Sequence, residues 1–229
     1  MGPTLHNALA ATASLISFAF CLSTFERWKA SKAAHQGAWT ASLALFTAAA
    51  VTFWYATAVG WSDLTFRLFF YFGAIANVPI LALGTIALLG SQRTTLISTR
   101  VAVLFVVFAA GVLAIAPISG DVSAEDLPKG ADHFDALPRI LAAVGSAVGA
   151  SIVIGGAVFS AYRLMRSRTT RRLALGNVFI AAGAIMLSAS GIFSARLGEL
   201  TAFSITLASG ITLIFIGFLV AGSRPDRAE

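Results

Sequence analysis

The sequence predicts an all-α membrane protein built as a bundle of seven spanning helices. Three observations carry this. Hydrophobic residues make up 58% of the chain and charged residues 11%, against about 25% charged in an ordinary soluble domain, so polar groups cannot cover its surface. Seven apolar runs follow one another: Leu5–Thr24, Ala38–Gly60, Leu64–Leu89, Ser98–Ile118, Leu137–Tyr162, Leu173–Phe193 and Leu200–Gly222. The charges sit between these runs and sort by side. Of 16 Lys and Arg, all but Arg67, Lys129, Arg139 and Arg196 fall in loops on one side. The positive-inside rule makes that side cytoplasmic, with the N-terminus outside and the C-terminus inside. The chain 1–229 reads as one transmembrane domain of a bacterial cytoplasmic membrane. Its net charge of +6 is spent on orientation, so nucleic acid is not an implied partner.

The first run is a true span rather than a signal peptide, because Met1 to Asn7 holds no Lys or Arg for a positive leader region. Cys21 follows Phe20, not the small residue that precedes a lipidated bacterial cysteine. As the sole cysteine it excludes an internal disulfide and a multi-cysteine metal site, and it reads as a packing residue.

The second run closes on Gly60 among Trp54, Tyr55 and Trp61, an aromatic belt at the outer interface or the mouth of a cavity. The third, Leu64–Leu89, is the most informative. It is charged only at Arg67, yet it carries Asn77 and Pro79 near its middle. Hydrocarbon tolerates neither an unpaired amide nor a broken backbone hydrogen bond, so this helix must lie among others. Phe70, Gly73, Ala74, Asn77, Leu81 and Gly84 share one face. Asn77 needs partners, from Ser or Thr hydroxyls or from a ligand, and Pro79 frees a carbonyl one turn earlier near Ile75. Asp63 and Arg67 are spaced to pair on one face at the outer end, and Tyr71 lies one turn further in.

Loop 119–136 is extracytoplasmic and acidic, with Asp121, Glu125, Asp126, Asp132 and Asp135 against Lys129. Gly120, Pro128 and Gly130 favour turns, and the loop reads as a solvated connection more than as a cover. Helix five carries Gly145, Gly149, Gly156 and Ser160; helix six carries Gly176, Gly183 and Ser190 with Gly191 alongside. Such stripes bring helix backbones together where packing holds the bundle. The inner loop MRSRTTRR is explained by orientation. Arg196 and Glu199 repeat the outer polar pairing beside helix seven, giving with Asp63 an outer polar cluster.

Helices one to three and five to seven show matched punctuation, including third spans that both open on Leu-Thr, which suggests a 3+1+3 parallel repeat. Opsins and SWEET-type transporters share elements of this topology. No Lys lies in a span, which argues against a Schiff-base retinal. His6, His35 and His133 sit at or beyond helix ends, which argues against a bis-His haem. No cofactor or metal is implied, and no HExxH or intramembrane acidic pair supports an enzyme.

The stretches FWYATAVGW (53–61), RLFFYFGAIANVPILALGT (67–85), GNVFIAAG (176–183), LSASG (187–191) and GELTAF (198–203) resemble a family of uncharacterised seven-helix integral membrane proteins of Gram-positive bacteria. The resemblance implies the fold and no activity. Beside the lipid bilayer, the expected partner is a small molecule held between helices by Asn77, Pro79, Arg67, Tyr71, Trp54 and Tyr55, as in a transporter or permease. The alternative is a non-catalytic sensor, scaffold or accessory subunit that docks another membrane protein, or a second copy, through the glycine stripes.

Overall fold

The computed structural model describes residues 3–122, 127–165, 171–188 and 199–222. Among them the backbone is almost wholly helical, with one isolated antiparallel bridge between Ile118 and Phe134. The long helices are α1 (Pro3–Ser31), α2 (Ala34–Val59), α3 (Asp63–Leu89), α4 (Gln92–Ile115), α5 (Ala136–Met165), α6 (Arg171–Ser188) and α7 (Glu199–Gly222), with a single helical turn at Gly130–His133 between α4 and α5. Among the described residues, α1 to α5 and α7 are long and apolar enough to cross a membrane. The expected span Leu173–Phe193 is described as helix only as far as Ser188, and its apolar part is the shorter Val178–Leu187.

Capping chemistry sets the joints. α1 runs past Thr24 to Ser31, because Arg27 and Lys29 are good helix formers and end the apolar run without ending the helix. Lys32 then turns the chain at φ 53°, where its N–H still reaches the Trp28 carbonyl. α2 stops at Gly60, φ 107°, a conformation that glycine adopts without a Cβ penalty. Ser62 opens α3 with a capping box: its hydroxyl accepts from the Thr65 N–H and its own N–H reaches Thr65 Oγ1. Ser91 caps α4 with a single bond, its hydroxyl accepting from the Thr94 N–H. α4 accordingly begins before the expected Ser98.

Packing follows the small residues. Trp28 lies over Gly37, which closes α1 on α2 as an antiparallel hairpin. In α6 and α7, a Cβ on Gly183 would come 2.6 Å from the Gly210 carbonyl, and one on Gly217 would come 2.6 Å from the Gly176 carbonyl. Two turns up one helix match two turns down the other, so the pair is antiparallel with backbones in contact. α5 lies parallel to α3: Gly149 faces Val78, and Gly156, two turns on, faces Thr85. Gly145 meets Phe105 and Pro79. These glycines therefore pack within the chain; Ser190 and Gly191 lie outside the described residues. α1 and α7 run side by side, joined by His6 Nε2 and Thr201 Oγ1 at 2.7 Å and by Phe20 stacked on Phe215. Among the described residues α1 packs along α2, α5 along α3 and α6 along α7.

Candidate functional site

α3 is the helix that positions the interior. Its ladder widens to π-helix over Phe70–Ala76 and resumes as α-helix at Asn77, with Pro79 just beyond. A wide turn of this kind re-aims the following side chains and leaves backbone groups in need of partners. The partners come from both neighbouring helices. Ser42 of α2, which is buried, donates its hydroxyl to Asn77 Oδ1 at 2.5 Å and lies 3.3 Å from the Asn77 carbonyl. Ser146 of α5 donates to the Ala74 carbonyl at 3.0 Å. Ala74 lies within the wide turn, next to Ile75, whose carbonyl Pro79 leaves without an α-helical donor. Both serines were passed over in the sequence, where nothing separates them from the many other helix hydroxyls.

Two apolar cavities flank this turn at successive depths. The first, about 240 Å³, lies among α2, α3 and α7 and is lined by Ala49, Ala50, Phe70, Gly73, Ala74 and Phe203 among others. The second, about 340 Å³, lies among α3, α4 and α5 nearer the basic end. Pro79, Ala82, Phe105, Val148 and Gly149 border it, and Ser98 is its one polar side chain. Asn77 itself borders neither cavity; its Oδ1 is taken by Ser42.

The remaining residues singled out from the sequence are placed elsewhere. Arg67 does not pair with Asp63, which is exposed; its guanidinium donates to the Leu113 carbonyl in the last turn of α4. Carbonyls there lack intrahelical donors and sit at the negative end of the helix dipole, so they outcompete a solvated carboxylate. Tyr71 donates its hydroxyl to the Val106 carbonyl at 3.1 Å, again bridging α3 to α4. Trp54 and Tyr55 are 43% and 54% exposed, and neither lines the cavities above. Trp61, in contrast, is buried against Phe53 and Phe69 and belongs to the core rather than to an interfacial belt. Arg196 and the Glu199 side chain lie outside the described residues, so the outer polar cluster is seen only at Asp63.

The acidic loop is a cover in its described part, not a solvated connection. Phe134, 4% exposed, stacks on Phe66 at 4.8 Å and leans on Phe70 at 5.0 Å. Ser119 and His133 hold the two loop ends together through a backbone hydrogen bond of 2.9 Å and a ring-to-carbonyl contact of 2.8 Å. Arg67 lies under the Phe134 ring, 5.9 Å from its centroid. One aromatic in a polar, turn-rich segment gave no periodic signal, which is why the loop read as solvated. No group of three or more His, Cys, Asp or Glu able to hold a metal occurs among the described residues. Compared with protein-family models, curated proteins and solved structures, the chain matches none.

Proposed function

We propose that this integral membrane protein is a permease-like bundle that binds and passes a small apolar or amphiphilic molecule along α3. The observation that carries the reading is the pair of cavities at successive depths on either side of a wide turn followed by proline. A helix whose ladder is already re-registered between two cavities can bend there at low cost, because Ser42 and Ser146 rather than the ladder satisfy the exposed groups. The linings select for an apolar body, with Ser98 as the polar side chain at the deeper cavity. The orientation implied by the basic loops makes the 240 Å³ cavity the extracytoplasmic one. Arg67 and Tyr71 act in this reading as braces between α3 and α4.

Gly145, Gly149, Gly156, Gly176 and Gly183 face partners within the chain, which favours this reading over docking through those glycines. Native mass spectrometry of the protein in nanodiscs tests the proposal. A discrete non-lipid molecule should be retained by the unaltered chain and lost from Gly73→Leu, which fills the first cavity. Retention of a second polypeptide at fixed ratio, with no small molecule, would reject the permease reading.

A further inference from the structure

We infer a second site, independent of the cavities along α3: a pocket at the basic end that holds the phosphate of an anionic phospholipid. A cavity of about 190 Å³ opens there between α1, α2, α6 and α7, lined by Thr24, Arg27, Gln36, Trp39, Ile180 and Phe218 among others. Arg27 is half-buried, and its guanidinium carbon lies over the Phe218 ring, 3.8 Å from the centroid. A cation–π contact engages the ring by charge and does not use up the five N–H donors, none of which has an acceptor among the described residues. Among the described residues Arg27 has no carboxylate partner; the neighbouring Glu26 is paired with Lys29 at 3.3 Å. A partly desolvated cation without a counter-charge calls for an anion from outside the protein.

A second donor set converges on the same cavity. Ser31 donates its hydroxyl to Oε1 of Gln36, a lining residue, at 3.2 Å, and the Gln36 amide nitrogen has no acceptor among the described residues. The Thr24 proton is committed to carbonyls of its own helix. Ile180, Phe218 and Ala221 supply an apolar wall beside these donors. Donors at one edge and hydrocarbon at the other fit a head group with attached acyl chains better than a free ion. Arg27 sits one turn before the end of α1, about 6 Å along the axis, at the depth where head groups meet hydrocarbon.

The test is thermal unfolding of the whole chain in neutral detergent, titrated with phosphatidylglycerol, with phosphatidylcholine or with inorganic phosphate. Phosphatidylglycerol should raise the melting temperature saturably, and the other two should not. Arg27→Gln and Gln36→Leu should each weaken the apparent affinity by about tenfold or more, whereas Lys29→Gln, which alters an exposed charge nearby, should leave it unchanged. Should Arg27→Gln fail to unfold cooperatively without lipid, Gln36→Leu decides alone. Wild-type affinity in the folded pocket variants overturns the site. An equal shift with inorganic phosphate overturns the lipid as its source.

Discussion

The Ser42 hydroxyl donates to Asn77 Oδ1 at 2.5 Å and ties α2 to the point where the wide turn of α3 reverts to α-helix. The bond answers the question posed by an amide in the middle of an apolar run. In hydrocarbon an unpaired carbonyl oxygen has no water to turn to, so the partner is built into the neighbouring helix.

Ser42→Ala should destabilise the bundle by about 0.6–1.7 kcal/mol, the range measured for hydrogen bonds between membrane helices. With Asn77→Leu in the same chain the further loss of Ser42 should cost almost nothing. A double-mutant cycle by reversible unfolding in micelles reads the coupling, and additive effects would show that the bond carries no energy.

Arg67 caps the C-terminal turn of α4 through the Leu113 carbonyl. Arg67→Gln should cost about 1–2 kcal/mol, the scale of a charged donor at a helix C-terminus. Asp63→Asn should stay within about 0.5 kcal/mol. Equal losses from the two substitutions, measured by the same unfolding assay, would instead indicate an Asp63–Arg67 ion pair.

Gly183 and Gly155 make a matched pair for the α6–α7 contact. A Cβ on Gly183 meets the Gly210 backbone, which has nowhere to move, whereas one on Gly155 meets nothing within 4 Å. Gly183→Leu should lower stability by about 1–3 kcal/mol, as overpacking does. Gly155→Ala should be neutral or stabilising by up to about 1 kcal/mol, through helix propensity. Tolerance of leucine at position 183 would mean that the two backbones are not in contact.

Phe134 fastens the loop between α4 and α5 onto α3. Phe134→Ala should remove about 3–5 kcal/mol from that local contact, enough to open the strap well before the bundle unfolds. Hydrogen exchange at Ser119 and Phe134 should then accelerate by orders of magnitude while the amides of α2 stay protected. Unchanged exchange at the loop ends would place the stability of the strap elsewhere.

The sequence by itself determined the class of the protein, because burial in lipid needs little more than composition, run length and the sign of loop charges. Asn77 and Pro79 also announced an interior helix, since each is costly in hydrocarbon unless neighbours satisfy it. Tertiary structure alone decided which neighbours do so. Ser42 and Ser146 are ordinary helix hydroxyls until the register of α2 and α5 against α3 sets them opposite Asn77 and Ala74. Gly210 and Gly217 likewise drew no notice until the antiparallel pairing with α6 brought them onto Gly183 and Gly176. Arg67 stood one turn from Asp63 in sequence and chose a carbonyl of α4 that no local spacing reveals. The physical reason is common to all three. Spacing along a helix specifies which side chains share a face, but what that face meets depends on the approach of another helix, and in a membrane that approach is settled by close packing rather than by hydrophobic pattern.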